Sequence, residues 1–318
     1  MLMKDNAVPL VSILIVNYNG KHFFHECLTS IQEHVGVPHE IILVDNSSSD
    51  GSVEYIRQAY PEVQLIVSPV NLGFTGGNNL GAKAARGRYL LLLNNDTVIR
   101  SPIVPLIEMM DADVGIGVMG CRLLYGDGRL QESIGYTPSV LSLVLSWTPL
   151  GKLFPNSKMF RRTVFCGSEL YKQEYAEVDW VSGACLLTRT ALWEQLGGLD
   201  ERYFMYMEEV DYCLRVRKAD YFVGYSSACE VTHFEGAGRP WVGERALLNT
   251  TESYMVYVSK FHGSTAVLVL RALLTPVFLM RAMAYMASYI LHMDLYGSEK
   301  SKAYFHAALK LTGGVFRH

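Results

Sequence analysis

The chain of 318 residues lacks the features that mark several protein classes. Only 19% of its residues are charged, and 28 basic residues against 31 acidic ones leave a net charge of -3. Without a basic excess there is no electrostatic case for a nucleic-acid partner. None of the six cysteines forms a CxxC pair; they are Cys27, Cys121, Cys166, Cys185, Cys213 and Cys229. This scatter is typical of reduced thiols in a cytoplasmic protein rather than of a disulfide framework or a zinc site.

A secretory signal and a dinucleotide fingerprint are also missing. The first apolar run ends in Asn17, Tyr18 and Asn19 without a small-residue cleavage site, so we expect a buried strand there. No GxGxxG follows this strand, which excludes the usual nicotinamide-binding motif. A nicotinamide-dependent oxidoreductase therefore remains only a distant alternative.

Short apolar runs alternate with helix-like segments over roughly the first third of the chain. The predicted strands are residues 11–16, 40–44, 63–67, 89–93 and 114–119. The predicted helices are residues 23–34, 52–60 and 76–85, with two more from about residue 189 and over 208–219. This alternation predicts an α/β fold with a mostly parallel central sheet. We place this domain at residues 1–245 and a helical extension at 246–318.

The extension is strongly apolar, but Arg271, Pro276 and Arg281 interrupt it. An arginine at the centre of a membrane-spanning helix costs roughly 2.5–3.5 kcal/mol, which argues against spanning. We expect both arginines on the polar side of helices that lie in the membrane interface. Further positive charge is expected from Lys300, Lys302, Lys310 and Arg317. The alternatives are helices that pack on the core or on a second subunit, or a true span.

A polar cluster, Asn94-Asn95-Asp96, ends the apolar run in LLLNNDTV. Open α/β sheets bind ligands outside the carboxyl ends of their strands, so Asp96 is well placed to hold a cation. Asn and Asp also favour turns, and a plain strand-to-turn junction is the alternative.

Polar residues also follow the first two predicted strands, at Asn17 and Tyr18 and at Asp45 and Asn46. Such side chains can read a planar base through hydrogen bonds and stacking. Asp45 can accept a hydrogen bond from the ring N–H of a pyrimidine; an Asx-turn that caps the strand end is the alternative.

The third loop, NLGFTGGNNLGA, contains Gly73, Gly76, Gly77 and Gly81. Small residues at a helix start allow the backbone to approach a diphosphate or a sugar, and the exposed N–H groups favour anions. A purely structural tight turn is the alternative.

Five segments in chain order carry a family resemblance. They are SILIVNYNG, VDNSSSDGS, NLGFTGGNNLGA, LLLNNDTV, and GGLDERYFMYMEEVDYCLRVR followed by HFEGAG. In this order and spacing, over roughly residues 10–240, the sequence resembles inverting family 2 glycosyltransferases of the GT-A fold, within the rhamnosyltransferase-like branch. This fold is a Rossmann-like, nucleotide-sugar-binding α/β fold.

The resemblance implies roles for the donor side. It implies that Asp96, with His233 nearby, holds Mg²⁺ or Mn²⁺ on the donor diphosphate, and that Asp45 reads the base. Hard divalent cations keep few protein ligands, so a single carboxylate is sufficient. Many family members carry DxD where this chain has Asn94-Asn95-Asp96. The donor-binding residues expected on this basis are Asn17, Tyr18, Asp45, Asn46, Asn71, Gly73, Gly77, Asn78, Asn95 and Asp96.

The resemblance also implies a general base at Glu209, where the family usually has Asp. Displacement at the anomeric carbon needs a carboxylate that deprotonates the attacking hydroxyl. Asp211 is the second candidate, but Arg215 four residues later predicts a structural ion pair for it. A further alternative is that acidic residues gather at a helix start because the macrodipole favours them.

The resemblance further implies that Trp180, Gly183 and Glu208 lie on the acceptor side. An aromatic ring such as that of Trp180 suits stacking on a sugar, although a core position is the alternative.

Together these residues and the resemblance imply an inverting, metal-dependent hexosyltransferase. Its expected donor is a nucleotide diphosphate sugar; the branch resemblance favours dTDP-rhamnose, with UDP- and GDP-sugars as alternatives. Its expected acceptor is a lipid-linked glycan of the cell surface. We expect it in the cytoplasm, peripheral on the inner face of the cell membrane, and as a homo-oligomer if the C-terminal helices pair. A catalytically degenerate nucleotide-sugar-binding or scaffold protein is the alternative.

Overall fold

The structure is a computed structural model that describes residues 8–149, 164, 169–234, 243–292 and 295–313. The chain forms two compact units. Unit 1 contains residues 8–135, 164, 169–201 and 209–234 of the described chain, and unit 2 contains the other described residues. Cys166, Arg317 and the last four residues of the HFEGAG motif lie outside the described residues.

Twelve strands are found in the described part of unit 1. They are β1 Val11–Asn17, β2 His39–Asp45, β3 Gln64–Val67, β4 Tyr89–Leu93, β5 Thr97–Ile99, β6 Ile116–Leu124, β7 Leu130–Gln131, β8 Ile134–Gly135, β9 Ala176–Glu177, β10 Trp180–Val181, β11 Cys185–Arg189 and β12 Phe222–His233. The predicted runs correspond to β1, β2, β3, β4 and β6.

Ten α-helices lie within the described residues. They are α1 Phe24–His34, α2 Ser52–Ala59, α3 Gly73–Ala82, α4 Val104–Ala112, α5 Val140–Leu145, α6 Thr190–Leu196, α7 Glu208–Lys218, α8 Glu244–His262, α9 Ser264–His292 and α10 Leu295–Gly313. The third helix begins three residues before the predicted start, so that Gly73 opens it.

The main sheet has the strand order β3-β2-β1-β4-β11-β6-β12-β5. The first four strands of this order are parallel, as the alternation of strands and helices predicts. All five residues of β4 are buried, which fits a strand covered on both faces. β11 inserts antiparallel between β4 and β6, so the second half of the sheet is mixed. The five cysteines within the described residues are free and buried, as expected.

Unit 2 is built on α8, α9 and α10, together with α5. α9 and α10 pack side by side, and the Ser301 hydroxyl donates to the Ala282 carbonyl at 2.9 Å. An aromatic cluster joins these helices, with the Trp147 ring edge-on to both Phe278 and Tyr304. Burial of these rings stabilises the packing of the helices.

The helix Ser264–His292 is the one candidate membrane span within the described residues. Residues 264–291 are long and apolar enough to cross a membrane by length and composition, and most of this stretch is not buried. Its large exposed side chains form one stripe, composed of Leu268, Val269, Leu273, Leu279, Met280, Met283, Met286, Ile290 and Leu291. At 3.6 residues per turn these positions share one side of the helix.

The two arginines of α9 lie on the side of the helix opposite the exposed stripe. Arg281 donates from Nη1 to the Trp147 carbonyl at 2.7 Å, and its guanidinium lies over the Tyr304 ring at 4.9 Å. Arg271 is half-buried and falls on the same half of the helix, away from the exposed stripe. Both arginines therefore lie opposite the apolar stripe, and aromatic rings and a backbone carbonyl hold Arg281 inside unit 2. That the helix lies in a membrane interface stays a prediction.

Candidate functional site

The carboxyl ends of β1, β2 and β4 meet at one edge of the sheet in unit 1. Asn17 and Asp45 are register partners at the ends of β1 and β2. The Asn94–Asp96 segment follows β4 directly, and His233 ends β12 opposite Thr97 of β5. The parallel arrangement thus brings four of the predicted motifs to the same edge.

Asn17 is the centre of a buried polar network. Its Nδ2 donates to Asp45 Oδ2 at 2.9 Å and to the hydroxyls of Ser48 and Ser52 at 3.0 Å. Its Oδ1 accepts from Asn95 Nδ2 at 2.7 Å. Asn17 is fully buried, so these bonds offset the desolvation of its amide and fix the strand ends relative to one another.

The loops after β1 and β2 are bonded to each other. Asn19 accepts from the Ser49 N–H at 2.8 Å, and Asp50 accepts from the Lys21 N–H at 2.9 Å. Asn19 has a φ of 55°, a left-handed conformation that a short polar side chain tolerates. Tyr18, in the first of these loops, is 49% exposed. Its ring is therefore available at the sheet edge for stacking on a flat ligand.

Asp45 is only 1% exposed. Its Oδ1 accepts from the Ser48 N–H at 2.9 Å, while its Oδ2 is bonded to Asn17. The turn-capping alternative is therefore present in the structure. Recognition of a base by Asp45 remains a prediction.

Gly20 was missed by the sequence reasoning, although it ends the motif SILIVNYNG. A Cβ atom at this position would lie 2.1 Å from Asn95 Nδ2 and 2.8 Å from Asn17 Oδ1. Glycine is thus required here because the bond between Asn95 and Asn17 passes against the backbone.

The glycines of α3 have mixed roles. Gly73 has a φ of 72°, and its N–H donates to Asn71 Oδ1 at 2.9 Å, so this pair forms the turn that opens the helix. A Cβ at Gly77 would lie 2.7 Å from Val16 Cγ1, so Gly77 lets α3 approach β1 closely. The Asn78 amide donates to the Phe74 carbonyl of its own helix at 2.9 Å. The structural alternative therefore accounts for Gly77 and Asn78, and their contact with a donor stays a prediction.

Two side chains at this edge can share a cation. The His233 Nε2 atom lies 3.3 Å from Asp96 Oδ1, and the Asp96 side chain is 21% exposed. Two ligands at right angles on an ion with bonds of about 2.1 Å lie about 3 Å apart, so the pair fits one divalent ion. Among the described residues no group of three or more His, Cys, Asp and Glu side chains can hold a metal. Any ion on this pair therefore needs oxygen ligands from a substrate or from water.

Glu209 lies in the first turn of α7, next to the acceptor-side segment. A Cβ built at Gly183 would lie 3.6 Å from Glu209 Cβ and 3.3 Å from the Phe74 ring. The Glu209 Oε2 atom is buried, with no hydrogen-bond partner among the described residues. Burial raises the pKa of Glu209 from 4.5 to about 7. A carboxyl group with this pKa is suited to accept a proton near neutral pH.

Gly183 and Ala184 connect the cation pair with Glu209. The Ala184 carbonyl accepts from the Asn94 N–H at 3.0 Å, which ties this segment to the end of β4. Asn94 Nδ2 in turn lies 3.1 Å from His233 Nε2. Contacts within unit 1 therefore link a carboxylate–imidazole pair and a carboxyl group of raised pKa into one site.

Asp211 has a structural role. Its fully buried carboxylate is 2.6 Å from Arg215 Nε, which confirms the ion pair expected four residues apart. Arg215 also donates to the carbonyls of Leu196 and Gly198 at 2.8 and 2.7 Å. Asp211 thus orients an arginine that fixes the loop after α6, and Glu209 is the better placed base.

Asn79 fixes the same loop from α3 and was also missed. It donates to the Leu199 carbonyl and accepts from the Leu199 N–H, both at 2.9 Å. A side chain at Gly198, which has a φ of 70°, would lie 2.6 Å from Asn79 Oδ1. In the sequence, only the pair of adjacent asparagines in NLGFTGGNNLGA could have indicated that Asn79 fixes this loop.

The remaining acceptor-side residues are buried. Trp180 is 8% exposed and pairs with Gly135 in a two-stranded sheet, which favours the core alternative over stacking on a sugar. Glu208 is 5% exposed. The residues before it, Tyr206 and Met207, have φ values of 73° and 70°. Consecutive left-handed residues of this kind are costly, and such strain clusters at functional sites.

Comparison with known proteins adds independent findings. The model of the family described as glycosyl transferase family 2 matches residues 12–177. An N-acetylglucosaminyl-diphospho-decaprenol L-rhamnosyltransferase of Mycobacterium tuberculosis is 30% identical over 242 residues, which cover 70% of this chain and 76% of that protein. A low-salt glycan biosynthesis hexosyltransferase of Haloferax volcanii is 24% identical over 261 residues, with 81% and 76% covered.

A solved structure has the same fold. It is a mannosyltransferase from Pyrobaculum calidifontis in complex with GDP-Man and Mn²⁺, with a TM-score of 0.54, 14% identity, and coverage of 96% of this chain and 88% of that chain. The GT-A fold expected from the motifs is thereby confirmed.

Proposed function

Because the chain belongs to glycosyl transferase family 2, we propose that it transfers rhamnose from dTDP-rhamnose to a lipid-linked glycan precursor with inversion at the anomeric carbon. The observation that carries this proposal is a chain of contacts: the Asp96–His233 pair at the sheet edge is connected through Asn94, Ala184 and Gly183 to the vicinity of Glu209. The choice of donor and acceptor is supported by the name of the mycobacterial relative, a rhamnosyltransferase of a diphospho-decaprenol.

In this proposal Glu209 is the general base. Its carboxylate accepts the proton of the acceptor hydroxyl while that oxygen forms a bond to the anomeric carbon. The bond between this carbon and the phosphate oxygen breaks, and the nucleoside diphosphate leaves with the electron pair. Burial of Glu209 supports this role, because a base with a pKa of about 7 holds the proton more strongly than an ordinary carboxylate.

Asp96 and His233 would hold a divalent cation at the donor diphosphate. Such an ion supplies positive charge that stabilises the leaving diphosphate. The imidazole nitrogen is a softer ligand than the oxygens that Mg²⁺ prefers, which favours Mn²⁺. At the other end of the donor, the exposed Tyr18 ring offers a stacking surface for the base.

The test combines binding and turnover. Purified protein is melted with dTDP-rhamnose, UDP-sugars and GDP-sugars, with and without Mn²⁺. A donor at 100 times its dissociation constant should add about 2.7 kcal/mol of stability. We expect a metal-dependent rise for dTDP-rhamnose and transfer of its sugar to a polyprenyl-diphosphate acceptor. Donor binding without any transfer would instead favour the catalytically degenerate alternative.

We further propose that the enzyme is held at the cytoplasmic face of the membrane by α9. The exposed stripe from Leu268 to Leu291 is about 35 Å long at 1.5 Å per residue and carries no charged side chain. The neighbouring helix α10 exposes Glu299 and Lys302, which suits the surface of a bilayer rather than its interior. A membrane location also suits a lipid-linked acceptor. Pairing of this stripe between two copies remains the alternative.

Co-sedimentation with vesicles that contain anionic lipid tests this location. Substitution of Leu273 and Met280 by Glu should release the protein from the vesicles, because two charges would enter the apolar stripe. The control Val114→Glu changes an exposed residue of unit 1 and should leave binding unchanged. A double variant that still sediments, or a wild-type protein that never does, would refute the proposal, and a dimer seen by light scattering would support the alternative.

A further inference from the structure

Gln131 contacts the cation pair from outside the known motifs. It lies in the two-residue strand β7, pairs with Leu123 of β6, and is 4% exposed. Its Oε1 atom is 3.0 Å from His233 Nδ1. The other ring nitrogen, Nε2, faces Asp96 and Asn94. One histidine therefore lies between a buried amide and the carboxylate proposed to bind the ion.

The arrangement of donors and acceptors defines the proton position on the ring. The Asn94 Nδ2 group can only donate, so His233 Nε2 is the acceptor in that contact. In the neutral ring the proton then lies on Nδ1, from which it is donated to Gln131 Oε1. This tautomer leaves the Nε2 lone pair directed at the place where Asp96 offers an oxygen.

We infer that Gln131 is a positioning residue that holds His233 in the tautomer and orientation needed to bind the divalent cation. This inference rests on the proposed function, since it concerns the same ion. A hydrogen bond to the second ring nitrogen of a metal-binding histidine fixes the ring and increases its basicity, and its loss typically lowers metal affinity about 10–100-fold. The described residues place no other side chain on His233 Nδ1.

The experiment measures free Mn²⁺ by electron paramagnetic resonance during titration of the protein with dTDP, UDP and GDP in turn. Gln131→Met keeps the size of the side chain and removes the acceptor, so it should raise the Mn²⁺ dissociation constant about 10–100-fold. Gln131→Glu restores an acceptor and should bind within a few-fold of wild type. Ser133→Ala is the matched control, because Ser133 is equally buried, two residues away, and its hydroxyl makes no hydrogen bond to any of the described residues.

Nitrogen-15 NMR of the histidine rings gives a readout that is independent of folding losses in the variants. In wild-type protein with Mg²⁺ and nucleotide, we expect a proton on His233 Nδ1 and none on Nε2. A proton on Nε2, or wild-type Mn²⁺ affinity in Gln131→Met, would overturn this inference but not the proposed metal site. A wild-type protein that binds no Mn²⁺ with any of the nucleotides would overturn the proposed metal site and this inference with it.

Discussion

The pKa of Glu209 predicts a pH dependence of catalysis that an ordinary carboxylate would not give. Burial raises this pKa from 4.5 to about 7. The ionised, base-competent fraction is then about 0.1 at pH 6 and about 0.9 at pH 8. Transfer at low substrate concentration should therefore rise about tenfold over this range. A carboxylate with a pKa of 4.5 would be almost fully ionised throughout and would give a flat profile.

The assay is the initial rate of sugar transfer from pH 5.5 to 8.5, at fixed ionic strength and subsaturating donor and acceptor. The variant Glu209→Asp tests whether Glu209 causes the rise in rate with pH. The shorter arm should reduce the rate, up to about 100-fold, and the lower intrinsic pKa of Asp should move the midpoint down. Glu54→Gln, at an exposed position of α2, is the control and should change neither quantity. A flat wild-type profile, or an Asp variant with an unmoved midpoint, would refute the role of Glu209.

The same pKa shift has the opposite effect on stability. The folded state holds the Glu209 proton more strongly than the unfolded state, so this group stabilises the fold most below pH 4.5. Its contribution is lost as the pH rises from about 4.5 to about 7. Urea unfolding across this range, compared between wild type and Glu209→Gln, isolates that contribution. If the activity rises with pH while the contribution of Glu209 to the free energy of unfolding falls, the same carboxyl group causes both changes.

Two further changes test the local packing of the site. Gly20→Ala should break the hydrogen bond between Asn95 and Asn17 and cost about 1–3 kcal/mol of stability, because its Cβ would lie 2.1 Å from Asn95 Nδ2. Urea unfolding measures this loss. Unchanged stability would contradict the close approach of the Asn95 amide to the backbone at residue 20. Arg215→Met should cost about 3–5 kcal/mol, because it removes the cation that pairs with the buried Asp211 carboxylate. The adjacent surface variant Lys218→Met controls for loss of charge, and an Arg215→Met protein as stable as that control would refute the pairing.

The first half of the fold could be predicted because local patterns determine it. The apolar runs of β1, β2 and β4 are continuous, and the helices between them force parallel pairing. The position of β11 between β4 and β6 could not be predicted in this way. It depends on pairing between segments 66–100 residues apart, for which the run around Leu186 carries no local signal.

The site was predictable to the extent that its residues stand at strand ends. Asn17, Asp45 and Asp96 follow apolar runs, so the parallel sheet alone brings them together. Gln131 was not predictable, because it lies in a strand of two residues whose pairing no periodicity reveals. Gly20 was overlooked although its motif was identified, since only the path of the Asn95 amide explains the need for glycine.

The contacts of the tail could not be predicted from composition. Both arginines were expected on the polar side of α9, but only the structure shows that Arg281 is bonded to Trp147 and lies over Tyr304. A long side chain can turn its charge inward when a carbonyl and aromatic rings accept it. The exposed side of α9 is therefore more apolar than its average composition suggests.

In the proposed mechanism one site both binds the sugar donor and removes the acceptor proton. The most direct measurement compares wild type with Glu209→Gln for dTDP-rhamnose binding and for single-turnover transfer, in the presence of Mn²⁺. We predict equal donor affinity and a loss of transfer of at least about 100-fold, since only the proton acceptor is removed. Near-normal transfer by the variant would contradict the claim.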